Sequence, residues 1–274
     1  LEINGMYLIF WAILFSTSCF ANLLGLNISS AMNSVVTVYI LIPFLLIPQI
    51  LLSGVVVKFD QLHKVVRNEV NVPIIGDLMV SRWALEASLV AQFTDNEFEK
   101  KFYTYDKIIS ETRYNSVYYI PKLETNLLEG FSMMKSENEE EKEKATQKLN
   151  LVRSEIEKQL SILGKEKLPN YTKINTVELD QKMLSSTLDF IKVLKTYNLR
   201  KQSKAMAAKD KVIVELQKEG VFNELKQNYS NETIEKTVTN SLSQQRIIEK
   251  GGSLYQVIDP VFLETPPTNI FDYR

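Results

Sequence analysis

The sequence predicts an all-α chain: two transmembrane helices, then re-entrant or interfacial helices, then a helical bundle or coiled-coil-like domain. Three observations carry that prediction. Charge is segregated: of 33 acidic and 32 basic side chains among 274 residues, only Glu2 precedes Lys58. Inside the uncharged stretch, two long apolar runs flank a short polar turn. Beyond residue 96, apolar side chains recur every three or four positions, the period of a helix with one buried face. A wholly water-soluble protein is excluded by the first observation. The charged remainder holds 32 acidic and 32 basic groups with no long single-sign run, which excludes a basic nucleic-acid binder.

The uncharged stretch runs from Ile3 to Val57, and Asn27–Ser34 is polar and small enough to turn. Met6–Leu26 offers 21 residues, roughly 31 Å of helix, close to the thickness of a bilayer's hydrocarbon core. Val35–Val57 does the same, so residues 1–57 are read as two spans, about 6–26 and 35–57. A cleaved signal peptide lacks support, because no basic segment precedes the first run and position 1 is not Met. The sequence is therefore expected to start inside a longer protein. In the first span Ser16, Thr17, Ser18, Ala21, Asn22 and Gly25 offer close approach to another helix, so that face should meet protein. The second carries Pro43 and Pro48, which remove backbone donors and should kink or open the helix, and Gln49, whose amide is costly against lipid. Such a helix lines a cavity or an interface; the alternative is a kinked member of a passive bundle.

Residues 58–95 read as a re-entrant or interfacial hairpin. The apolar patch Val72–Val80 is too short to span, and it runs into Ser81-Arg82-Trp83-Ala-Leu-Glu86. Ser81 is placed to cap a helix, Arg82 and Glu86 stand four apart on one face, and Trp83 suits the rim. One histidine and one cysteine cannot build a structural zinc site or an internal disulfide. Cys19 is read as a small buried hydrophobe and His63 as an interfacial side chain.

The run Ile47-Pro-Gln-Ile-Leu-Leu-Ser53-Gly54-Val-Val-Val-Lys-Phe59, followed by Ser81-Arg82-Trp83-Ala-Leu-Glu86-Ala, resembles the membrane domain of ABC-2 type exporters. Within them it looks most like the G-subfamily-like permeases, over roughly residues 5 to 95. Ser53, Gly54, Ser81, Arg82, Trp83 and Glu86 carry the likeness. The resemblance implies that the two spans are the fourth and fifth of six, that the 27–34 turn is cytoplasmic, and that everything after Val57 lies outside a cell (inner) membrane. A sixth span should return beyond the end of this sequence. Two copies of the membrane domain would form the pathway, with Pro43, Ile47 and Ile50 facing a central cavity and Val55 and Val56 closing it on the outer side. Pro43 departs from a regular helix at that face. Transport in this family is driven by ATP, and no Gly-x-x-x-x-Gly-Lys-Ser/Thr phosphate loop occurs here. ATP and magnesium are therefore expected on a nucleotide-binding domain in the same polypeptide or on a partner subunit, with no cofactor, metal or catalytic residue in this chain.

Residues 96–260 are where the chain departs most from that family, and they read as a helical domain. Ser136-Glu-Asn-Glu139 has capping-box spacing and leads into Ala145, Leu149, Val152, Ile156, Leu160 and Leu163 on one stripe. Thr176 opens another helix, with Met183, Leu184, Thr187, Leu188, Ile191 and Leu194 inward, continued by Ala205, Ala208, Val212 and Leu216 to a C-cap at Gly220. Asn231 caps a last helix containing Ile234, Val238 and Leu242, stopped by Gly251-Gly252. The acidic cluster Glu137–Glu143 lacks the Asp/Asn/Gly pattern of a calcium loop and reads as a solvated helix start. Lys195–Lys211 reads as a solvated basic face with anionic headgroups as the alternative. Asn170, Asn228 and Asn231 begin glycosylation triplets, permissive only in a suitable host. Glu178, Asp180 and Asp189 have no His or Ser partner for hydrolysis.

Residues 261–274, with Pro266 and Pro267, read as an extended connector towards the missing last span. Two functional readings follow from the whole. One is the permease part of an ATP-driven exporter with an enlarged extracytoplasmic helical domain, which gates the exit or docks an outer partner. The other is a transmembrane mechanical or signal relay, or a membrane-anchored interaction module, coupled to an ABC ATPase without translocation. A membrane-bound enzyme is disfavoured for want of a site.

Overall fold

The computed structural model describes residues 5–51, 76, 78–174 and 180–263. Ser53, Gly54, Val55, Val56, His63, Thr176, Glu178 and most of the 261–274 connector lie outside the described residues. In chain order the helices are α1 (Tyr7–Ala31), α2 (Val35–Leu51), α3 (Val80–Thr94), α4 (Tyr103–Tyr114), α5 (Ile120–Met133), α6 (Glu139–Leu163), α7 (Gln181–Lys218), α8 (Phe222–Tyr229) and α9 (Glu232–Val238). A two-stranded antiparallel hairpin follows, β1 (Ile247–Lys250) and β2 (Ser253–Gln256). An all-α architecture is what the sequence predicts; the hairpin is its one exception among the described residues.

Two compact units divide the chain. One gathers Leu1–Tyr103, Leu216–Ser241 and Leu263–Arg274; the other gathers Thr104–Glu215 and Leu242–Phe262.

In the first unit, α1 takes in Asn27–Ala31 and narrows the expected turn to Met32–Ser34. The polar side chains cause this by bonding inside the helix. Asn27 Nδ2 donates to Leu23 O and Ser30 Oγ to Asn27 O, both at 2.9 Å, so polarity is satisfied without leaving helical geometry. Helix α2 runs through Pro43 and Pro48 without interruption, although neither proline can donate to the carbonyls of Tyr39 and Phe44. Helix α3 ends where Asn96, itself buried, donates to Gln92 O at 2.7 Å and accepts from the N–H groups of Phe98 and Glu99. Phe98 then meets Phe102 and Phe222 edge-on. Asn231 caps α9 as predicted, accepting from Thr233 and Ile234 N–H at 3.1 Å. The helix stops at Val238 and does not reach Leu242. Asn240 takes the left-handed conformation (φ 48°) and Ser241 N–H donates back to Lys236 O, the closing geometry of a helix C-terminus.

The second unit has its core between α5, α6 and the first half of α7. Ile120, Leu123 and Leu127 meet Leu149, Val152, Ile156 and Leu160, all fully buried, with Ile191 and Leu194 beside them. Most of the predicted α6 and α7 stripes are thus in the core. The α6 cap is Asn138, whose Oδ1 accepts from Glu140 N–H at 3.0 Å, while Ser136 accepts from Asn138 N–H one turn earlier. The capping-box reading was displaced by two residues because asparagine competes for the same backbone donors. Helix α7 begins at Gln181, with Asp180 accepting from Met183 N–H at 2.7 Å. It ends as expected at Gly220 (φ 75°), across which Val221 N–H donates to Leu216 O.

Between α4 and α5, Asn115–Tyr119 form a π turn, closed by Ile120 N–H donating to Asn115 O. Pro121 supplies the reason: it has no N–H for the carbonyl of Val117, so the ladder shifts by one residue just before it. Helix α4 lies antiparallel to the far half of α7, held by Asn115–Asn198 (3.1 Å), Glu111–Lys201 (3.1 Å) and Asp106–Lys209 (2.5 Å). Asn198 is buried on the inner stripe of α7, where one polar contact fixes the register of an otherwise slippery apolar seam.

The Gly251-Gly252 pair does not stop a helix. It forms the two-residue turn of the hairpin, with φ of 57° and 73° between the paired Lys250 and Ser253, a turn that needs positive φ at both central positions. Leu254 and Ile258 enter the core, and the hairpin is pinned by buried Glu155 of α6. That carboxylate accepts from Tyr119 OH (3.0 Å), Lys158 Nζ (2.7 Å) and Leu254 N–H (3.2 Å). Buried Asp259 makes a second long-range link, accepting from Ser110 Oγ (2.5 Å) and Arg113 (3.0 Å).

Gly130 marks the closest approach of α5 to α6. A Cβ there would sit 2.8 Å from Leu149 Cγ, whereas one at Gly25 of α1 would meet nothing within 4 Å. Gly130→Ala is therefore expected to destabilise by about 1–3 kcal/mol through overpacking, more than the ~1 kcal/mol that alanine gains in helix propensity. Gly25→Ala keeps that gain, and urea unfolding of both variants checks the contrast.

Candidate functional site

Helix α1 has 25 residues and a mean hydropathy of 1.8 over its most apolar window, with none of that window buried within the chain. Among the described residues it is the helix long and apolar enough to cross a membrane. Its inward strip is Phe10, Ile13, Thr17, Leu24 and Ile28, all partly covered, on the helix that packs against α3. Ser18, Ala21, Asn22 and Gly25 lie exposed, so the face expected to meet protein is open in the single chain. Cys19 is exposed too, because it lies off the packed strip. Thr17 and Ser16 both donate to Ile13 O, at 2.7 and 2.9 Å. Their hydroxyls thus need no partner from outside the helix.

Helix α2 covers 17 residues, roughly 25 Å at 1.5 Å per residue; the rest of the predicted second span lies outside the described residues. Pro43, Ile47 and Ile50 fall on one face at spacings of four and three. All three are exposed, Ile47 at 55% and Ile50 at 56%. Gln49, one residue before Ile50, is half-buried and turned towards α3 through its backbone.

Helix α3 holds the signature. It begins at Val80 with Met79 as its cap, so Ser81 does not cap it. Instead Ser81 Oγ donates to Gln49 O at 2.8 Å, tying α3 to α2. Arg82 is 4% exposed. Its Nε donates to Gly76 O at 3.2 Å, one terminal nitrogen reaches Glu86 Oε2 at 2.6 Å, and the guanidinium lies 4.0 Å from the Trp83 ring centroid. A cation in the first turn of a helix opposes the helix dipole, and burial removes its water. The carboxylate one turn on, the carbonyl behind and the ring beside it together compensate. The Arg82–Glu86 pairing was legible from spacing; the roles of Gln49 O and Gly76 O were not, because a backbone carbonyl leaves no mark in a side-chain pattern.

The structure therefore brings Ser81, Arg82, Trp83 and Glu86 together with the α2 helix that carries Pro43, Ile47 and Ile50. Among the described residues no three His, Cys, Asp or Glu side chains gather as a metal site, and the chemistry on display is positioning of helices in an apolar setting. No curated protein and no solved structure matches the chain. Residues 1–93 match the family model of the ABC-2 type transporter, so this part of the chain is similar to the membrane segment of ABC-2 type permeases.

Proposed function

We propose that residues 1–93 form part of the translocation pathway of an ATP-driven exporter, and that the helices after it form an extracytoplasmic domain of the same permease. The observation that carries this is the family match coinciding with an open apolar face, Pro43, Ile47 and Ile50, on a helix whose prolines leave two carbonyls without intrahelical donors. The likeness to G-subfamily permeases supports a second membrane domain across that face, Val55 and Val56 as its outer closure, and a cell (inner) membrane location. Power comes from ATP and magnesium on an ABC ATPase domain or subunit. The exposed small residues of α1, Ser18, Ala21 and Gly25, give a neighbouring helix room to approach.

A second reading has its own support. Helix α7 has 38 residues, about 57 Å of continuous helix, which suits a rod that passes motion without passing cargo.

The test is co-reconstitution with the ABC ATPase in proteoliposomes, using a fluorescent phospholipid and a lipophilic dye as cargoes. Ile47→Trp and Ile50→Trp should lower ATP-dependent cargo movement at least tenfold while basal ATP hydrolysis persists. ATP turnover indifferent to both cargoes and to both substitutions, with no cargo moved, would establish the relay in its place.

A further inference from the structure

The outward side of α7 carries a strip that packing among the described residues does not use. Val193, Tyr197, Arg200, Lys204, Lys211 and Val214 follow one another at helical spacings of three and four, completed by Ala207, and all are exposed. Val193 is 65% exposed and Tyr197 50%. From 193 to 214 the strip is roughly 32 Å long. It contains three cations and no carboxylate. Of the three other basic residues between 193 and 214, Lys201 and Lys209 are spent on Glu111 and Asp106, and Lys195 is exposed off the strip; just before it, Lys192 pairs with Asp189. Arg200, Lys204 and Lys211 make no ion pair among the described residues. Asp210 is the one acid between 193 and 214, and it lies on the adjoining strip.

Cations alternating with aliphatic and phenolic side chains on a straight exposed face match a headgroup boundary, where lysine and arginine stems lie against acyl chains and their charges reach phosphate. A second copy of the chain is less suited. Its acidic complement would be the start of α6, a single short stretch in which Glu139 and Glu140, two of the five carboxylates of Glu137–Glu143, are already paired with Lys142 and Lys144 at 2.7 Å. The same polypeptide carries an apolar membrane helix, so a bilayer is present at high effective concentration. We propose that the Val193–Val214 face of α7 docks on an anionic phospholipid surface. This rests on α1 lying in a bilayer and holds for either the exporter or the relay.

The single cysteine makes the test direct. The whole chain is placed in nanodiscs of neutral phosphatidylcholine or of phosphatidylcholine with one quarter phosphatidylglycerol, and spin labels report access to oxygen and to a water-soluble nickel complex. A label on Cys19 should read lipid in both. A label at Ala207→Cys, in a Cys19→Ser chain, should read the lipid boundary in anionic discs and water in neutral ones. It should return to water in 1 M salt, where screening falls to about 3 Å. Arg200→Gln, Lys204→Gln and Lys211→Gln together should shift the docked-to-free ratio by on the order of a hundredfold towards water. An aqueous Cys19 label overturns the membrane reading and the docking with it. A lipid-facing Cys19 with an aqueous Ala207 label in anionic discs overturns the docking alone. Spin–spin broadening between Ala207 labels also overturns it, assigning the face to a second copy.

Discussion

Replacing Glu86 by alanine is expected to destabilise the first unit by about 3 kcal/mol, because it takes a carboxylate away from a buried guanidinium. Arg82 is 4% exposed, and the change removes its 2.6 Å carboxylate contact while the Gly76 O and Trp83 ring contacts stay. Glu86 itself is 38% exposed by side chain, so Arg82→Ala, which leaves a carboxylate that water can reach, should cost less. The double change Arg82→Met, Glu86→Leu should recover much of the loss, since neither charge is then left alone. Trp83 stacks on the pair, and its fluorescence in a Trp11→Phe chain in detergent reports the thermal midpoint of each variant. Equal midpoints for Glu86→Ala and the parent would show that the pair does not hold α3.

Glu155→Ala should be the most damaging single change in the second unit, at about 3–5 kcal/mol. It leaves the Leu254 N–H without its acceptor, leaves the Tyr119 hydroxyl only the longer 3.4 Å bond to the residue 155 carbonyl, and releases the hairpin. Burial first, and then the Glu155 carboxylate, push the Tyr119 phenol far above the ordinary tyrosine range. The folded chain therefore keeps a proton that the unfolded chain releases near pH 10. The stability linked to this proton is complete below about pH 10 and is lost as pH rises above it, by ~1.4 kcal/mol per pH unit. Tyr119→Phe should be less stable than the parent at pH 8, yet show a shallower fall between pH 10 and 12 in urea titrations followed by circular dichroism. Parallel falls for the two would remove Tyr119 from the explanation.

What was legible in the sequence was local or periodic. The absence of charge from Ile3 to Val57 announced α1 and α2, and the apolar stripe from Ala145 to Leu160 is the buried face of α6. Asn231 and Gly220 perform the caps that their chemistry predicts. What escaped was tertiary. Ser81 has the composition of a cap, but its hydroxyl is claimed by a carbonyl 32 residues away. Glu155 and Asp259 look like surface acids until the hairpin and α4 close over them, through partners 99 and 149 residues distant. The Gly251-Gly252 pair shows another limit. Two adjacent glycines fit a helix stop and a hairpin turn equally well, and only the pairing of Ile247–Lys250 with Ser253–Gln256 decides between them.

The π turn at Asn115–Tyr119 has a consequence for how one continuous stretch of helix serves two sets of neighbours. An extra residue in a turn advances the helical phase by roughly 100° relative to an unbroken α-helix. Upstream of it, Asp106 and Glu111 point at α7; downstream, Ile120, Leu123 and Leu127 point into the core. The phase offset resets the downstream face relative to the upstream one, so the two seams need not share one helical register. Pro121, which a helix interior ordinarily rejects, thus works as a swivel that lets a single segment be read in two frames.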